Sequence, residues 1–94
     1  MNTQEKISII CDNLKHFIQE KNRLYGDSAL NAVNIFCKDP NYSNENSICL
    51  RLNDKAGRIL NSKELRKNDL LDLMGYIILL CIEKDWTDFK DQID

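Results

Sequence analysis

Leu70-Leu71-Asp72-Leu73-Met74-Gly75-Tyr76-Ile77-Ile78-Leu79-Leu80-Cys81-Ile82 is apolar at nearly every position, and Asp72 is its only charge. The run is about 13 residues long, against the roughly 20 that a bilayer span needs, so it belongs in a protein core. A helix that is apolar nearly all round is central to its domain or shared with a partner subunit. Asn68 is the expected N-cap, with Asp69 beside it where the helix dipole favours a negative charge. Gly75 would let another backbone approach closely.

Upstream, Thr3 is the expected N-cap of a first helix with Glu5 in its first turn. Ile7, Ile10, Leu14, Phe17 and Ile18 then recur at three- and four-residue spacing, which predicts an amphipathic helix to about Asn22, with Gly26 as its stop. From Tyr25 to Ser43, turn formers mix with Leu30, Val33, Ile35 and Phe36. This predicts a long, partly ordered loop with a helical turn around Ala29–Phe36 and a tight turn at Asp39-Pro40-Asn41. A second helix is expected from near Ser43–Asn46 to about Leu60. At 100° per residue, Ile48, Leu52, Ala56 and Ile59 share an arc of about 80°, and Arg51, Lys55 and Arg58 fall in a neighbouring arc of about 60°. Trp86, Phe89 and Ile93 in the tail suggest a last short helix over the core.

These elements describe one all-α domain over residues 1–94, a compact bundle of three to four helices. The 94 residues lie near the lower end of what folds alone, so dimerisation through an apolar face is expected. A net charge of −2 argues against general nucleic-acid binding. The polar N-terminus, Met1-Asn2-Thr3-Gln4-Glu5-Lys6, does not read as a signal peptide, which points to a soluble cytoplasmic protein. Cys11, Cys37, Cys49 and Cys81 form no C-x-x-C and read as buried, reduced thiols. His16 has no second His or Cys at ligand spacing and reads as a helix-surface residue.

Asp72 carries the most information about function. A carboxylate inside an apolar helix must pair, protonate or bind a metal, because an isolated buried charge costs several kcal/mol or more. Asp69, Asp72, Tyr76 and Glu83 share one helix face. The available cations are Arg51, Lys55 and Arg58, or the Lys21-Asn22-Arg23 cluster. Either Asp72 makes a structural ion pair with them, or carboxylate, cations and loop amides converge on a polar ligand. Lys21 and Arg23 offer charge for phosphate, Tyr25 or Phe36 a ring for stacking, and Ser28, Asn31 and Asn34 hydrogen bonds. The same residues could also simply cap a helix and close a loop, and composition alone favours that reading. Neither G-x-x-x-x-G-K-[ST] nor G-x-G-x-x-G occurs.

Three segments also carry a resemblance: Lys21 to Asn31 with Asn34-Ile35-Phe36, Arg51-Leu52-Asn53-Asp54-Lys55-Ala56-Gly57-Arg58-Ile59, and Asp69-Leu70-Leu71-Asp72-Leu73-Met74-Gly75-Tyr76. Together they resemble a group of small phage proteins similar to the nucleotide-modification-associated domains. The resemblance covers about residues 20 to 82. It implies a phage or prophage origin, in the cytoplasm of a bacterial host, and the handling of nucleotides or nucleotide-derived molecules. A looser similarity is to the all-alpha nucleoside triphosphate pyrophosphatases, which hold magnesium on an E-x-x-E and an E-x-x-D pair. Asp69-Leu70-Leu71-Asp72 could stand in for the second pair, but the first is missing, which counts against turnover.

The expectation is therefore a binder of a small nucleotide-like ligand, assembled as a homodimer or higher homo-oligomer, with no cofactor and no membrane partner. Its contacts would come from Lys21, Arg23, Tyr25, Ser28, Asn31, Asn34, Phe36, Arg51, Asp54, Lys55, Arg58, Asp72 and Tyr76. The alternatives are a magnesium-dependent nucleotide hydrolase using Glu20, Asp54, Asp69 and Asp72, or a protein–protein inhibitor acting through an apolar helical face.

Overall fold

The computed structural model describes residues 1–31 and 43–93. Among them the chain forms α1 (Thr3–Tyr25), a 3-10 turn (Ser28–Leu30), α2 (Asn44–Asn61), α3 (Lys67–Glu83) and a second 3-10 turn (Lys90–Gln92). No strand is present among the described residues, and no helix among them is long and apolar enough to cross a membrane. The architecture is all-α, as the sequence predicts. The expected turn at Asp39-Pro40-Asn41 and most of the expected helical turn at 29–36 lie outside the described residues.

Helix ends follow the local chemistry, with two shifts from expectation. Asn2, not Thr3, caps α1: its Oδ1 accepts the Glu5 backbone N–H at 2.8 Å. Gly26 stops the helix with φ 60°, and its N–H reaches the Asn22 carbonyl at 2.9 Å. Ser43 caps α2 as its position suggests, with Oγ accepting from the Asn46 N–H at 3.1 Å.

Asn68, the expected cap of α3, lies inside the first turn instead, because the helix starts at Lys67 with Arg66 in the N-cap position. Arg66 makes no side-chain cap; its Nε donates to Asp69 Oδ2 at 3.0 Å. Asp69 is only 1% exposed, so this bond offsets the desolvation of its carboxylate near the positive end of the helix.

α2 and α3 form an antiparallel hairpin closed by Ser62–Arg66. Glu45 Oε1 lies 2.6 Å from Lys84 Nζ at the open end. Further in, Arg51 meets Tyr76, and Lys55 meets Asp72. As one helix advances the other recedes. Ile48, fully buried, is the apolar centre of the hairpin. The C-terminal half of α1 comes against α3, where Lys21 reaches Asp72 and Ile18 lies beside Gly75. Gly75 marks this crossing, but the close backbone approach expected there is not made. A Cβ placed on Gly75 would find only Ile18 Cγ1, at 4.0 Å, an ordinary contact.

The tail departs most from expectation. Trp86 N–H bonds the Cys81 carbonyl at 2.8 Å and Asp85 N–H the Ile82 carbonyl at 3.0 Å, with Asp85 left-handed at φ 58°. This Schellman closure ends α3 and redirects the chain. Trp86, Phe89 and Ile93 stay exposed, and the expected fourth helix is reduced to the 3-10 turn at Lys90–Gln92. The cysteines also differ from the reading of buried thiols: Cys11 is exposed, Cys49 and Cys81 are half-buried, and all three are free. His16 is on the surface.

The hairpin centre can be tested directly. Ile48→Ala is expected to destabilise the fold by about 2–4 kcal/mol in denaturant titrations, because no solvent reaches the site to offset the lost packing. Leu60→Ala, at an exposed position of the same helix, is expected to change stability by less than about 0.5 kcal/mol. Gly26→Ala should cost about 1 kcal/mol, since a Cβ is strained at φ 60° even with open space around it.

Candidate ligand-binding site

Helical spacing brings three sets of side chains to one place. On α1, Phe17, Ile18, Lys21, Asn22 and Tyr25 repeat at three- and four-residue intervals, so they line one face. On α2, Arg51 and Lys55 are one turn apart, and on α3 Asp72 and Tyr76 are likewise. Where these faces meet, with Ser28 and Ala29 of the 3-10 turn, they enclose a cavity of about 440 Å³ that opens to solvent on one side. That volume is in the range of small-molecule sites, roughly 300–1,000 Å³.

Asp72 stands in its wall. Lys21 Nζ, from α1, donates to Oδ1 at 3.1 Å, and Lys55 Nζ, from α2, lies 3.3 Å from Oδ2. One carboxylate thus links all three helices. The Asp72 side chain is 23% exposed and that of Lys55 16%, so neither charge is fully screened by water. Partial desolvation pushes the Asp72 carboxyl up. The hydrogen bonds and charges of Lys21 and Lys55 outweigh it together, and the group is held below the ordinary carboxylate range.

The remaining polar surface is cationic and aromatic. Arg51 places its guanidinium carbon 5.9 Å from the centre of the Tyr76 ring, and Lys21 Nζ lies 5.1 Å from that of Phe17. Three cations against one carboxylate leave the cavity net positive, on a chain whose formal charge is −2. Chemically, such a recess can attract an anion and offer flat faces to a ring.

Seven of the residues singled out from sequence line this cavity: Lys21, Tyr25, Ser28, Arg51, Lys55, Asp72 and Tyr76. Four others do not. Arg23 turns to Glu20 on the same helix, in a two-point ion pair at the surface. Asn31 closes its own turn, with Nδ2 donating to the Asp27 carbonyl at 3.1 Å. Asp54 and Arg58 line a second, shallower depression with Asn61 and Arg66. The cationic stripe of α2 therefore divides along the helix axis, because Arg58 lies nearly a turn beyond Lys55 and past the end of the cavity. Asn34 and Phe36 are outside the described residues.

Phe17 and Asn22 belong to the wall although neither was named as a ligand contact. Phe17 could have been found as the residue one turn before Lys21 on the same face.

The carboxylates expected for magnesium do not come together. Glu20 is held by Arg23, Asp69 is enclosed beside Arg66, Asp54 faces the shallow depression, and Asp72 sits between lysines. Among the described residues, no three His, Cys, Asp or Glu side chains are grouped to hold a metal ion.

Because the folded-state Asp72 carboxyl lies below its unfolded value of about 3.9, its ion pairs stabilise the fold fully above that pH. The contribution disappears as pH falls through the lower, folded-state value. Asp72→Asn is expected to cost about 1–2 kcal/mol at pH 7 and to flatten the stability–pH curve below about pH 4. Urea titrations of both proteins from pH 2.5 to 7 read out the two effects. Compared with known protein families, with curated proteins and with solved structures, the chain matches none of them.

Proposed function

We propose that this protein binds a small phosphorylated nucleotide or nucleotide-derived signal without turning it over, and does so as a homodimer. The observation that supports the reading is the net-positive, aromatic-lined cavity formed by Lys21, Arg51, Lys55, Asp72 and Tyr76. Phosphate would meet Lys55 and Arg51, and a base would lie against Tyr25 or Tyr76. Asp72 keeps the two lysines in place and can accept a hydrogen bond from a ribose hydroxyl or a base amine. A phage or prophage origin, within a bacterial cytoplasm, gives such a binder a use: sequestering a nucleotide immune signal or assisting nucleotide modification.

The separation of Glu20, Asp54, Asp69 and Asp72 favours binding over magnesium-dependent hydrolysis, since metal held through one carboxylate would be weak. Isothermal titration calorimetry against a panel of linear and cyclic nucleotides tests the reading. At least one nucleotide should bind, its affinity should fall about tenfold or more in Lys55→Ala or Arg51→Ala, and added salt should weaken it. Failure of every nucleotide to bind at high micromolar concentration would overturn the proposal.

A further inference from the structure

Of the three cations in the cavity, Arg51 is the one without a carboxylate. Lys21 and Lys55 meet Asp72 at 3.1 and 3.3 Å. Arg51 makes no ion pair among the described residues, and its guanidinium carbon lies 5.9 Å from the centre of the Tyr76 ring. A ring face attracts a cation without cancelling its charge.

The two lysines also have capacity to spare. Each ammonium carries three donors, and the single carboxylate between them does not use them all. The described side chains that line the recess therefore leave two positive charges unmet. Asp27, next in the chain to the lining residue Ser28, does not line it. Its carboxylate is exposed and accepts from Asn22 Nδ2, so solvent screens its charge from the cavity.

Phosphate esters differ in what they bring to such an excess. A monoester carries a charge of about −1.5 to −2 at pH 7, with three strongly accepting oxygens. A diester keeps a single charge and has one terminal oxygen fewer.

We infer that the ligand of this cavity ends in a phosphomonoester, and that Arg51 is the residue that reads its second charge. This deepens the nucleotide-binding reading and rests on it. Lys21 and Lys55, held close together by Asp72, would each take one terminal oxygen, and Arg51 the third. A cyclic diester would leave the guanidinium with no charge to meet.

The ligand supplies its own signature, because the second proton of a phosphomonoester titrates near pH 6. Protonation removes the charge that Arg51 meets, so binding weakens as pH falls. The cavity does not blur this change. Lys21 and Tyr25 line it from α1, Arg51 and Lys55 from α2, and Asp72 and Tyr76 from α3, and no histidine is among the lining residues. Partial desolvation pushes the Asp72 carboxyl up, its two lysines together bring it below the ordinary carboxylate range, and it keeps its charge around pH 6.

Calorimetry on the full chain, with the monophosphate and the cyclic monophosphate of each of the four common ribonucleosides, tests the inference. For a base that binds, the monophosphate should be tighter than its cyclic ester by about tenfold or more at pH 7.5. Between pH 7.5 and 5.5 its affinity should fall about fourfold, as the dianion fraction does, while that of the cyclic ester stays level. Arg51→Gln, at an exposed position, should weaken the monophosphate about tenfold and its cyclic ester little, so the gap closes. Circular dichroism of this variant should match that of the wild-type chain. A cyclic ester that binds as tightly as its monophosphate, an affinity that stays level down to pH 5.5, or a gap that survives Arg51→Gln would overturn this inference and leave the nucleotide-binding reading standing. If no monophosphate binds while other nucleotides do, the inference falls alone. If no nucleotide of any kind binds, both fall.

Discussion

Asp72 forms an ion pair with a lysine from each of the two other helices, Lys21 from α1 and Lys55 from α2, and the geometry of the molecule is arranged around that fact. Within the hairpin, Ile48 and the Glu45–Lys84 pair hold α2 against α3. For α1 there is little else. The side chains it brings to the cavity are Phe17, Ile18, Lys21, Asn22 and Tyr25, and the bridge through Lys21 is the only hydrogen bond among the described residues that α1 makes to α3. A carboxylate that costs energy to bury therefore sets the position of a whole helix. Its partners form the wall of the cavity that this placement creates.

The structural and the functional roles of Asp72 need not compete. An ion pair that only fixed register could be closed over by apolar side chains. Here Arg51 and Tyr76 extend the charged surface outward, and the recess stays open to solvent. Two lysines neutralised by a single carboxylate leave one positive charge, and Arg51 adds another. An arriving anion would therefore find its counter-charge already oriented, with less side-chain ordering left to do.

Much of this was legible in the sequence because periodicity reports faces. The α2 register placed Arg51 and Lys55 beside the Ile48 stripe, and the lone charge of the apolar run marked Asp72 as paired. Both are found. The reading failed where local chemistry decides. Arg58 shares an arc with Arg51 and Lys55, but how far along α2 the recess extends depends on where α1 crosses, which periodicity does not encode. Arg23 adjoins Lys21 in sequence, yet it lies 200° away around the helix and takes Glu20 instead. Asn68 looked like a better cap than Arg66, and the Arg66–Asp69 pair overrode it. The amphipathic tail suggested a helix, and Asp85 in a left-handed conformation ended α3 before the tail could fold back.

Gly75 gives the crossing of α1 and α3 a particular character. Glycine at a helix crossing usually marks two backbones locked together, whereas here there is space for a methyl group above it. The joint is then a latch rather than a dovetail: α1 is fastened by charge on a surface that does not key it in place. Such a joint tolerates drift in the side chains beneath it, because no interlocking shape has to be preserved. Because Lys21 supplies that charge, the placement of α1 and the width of the recess are coupled through one side chain.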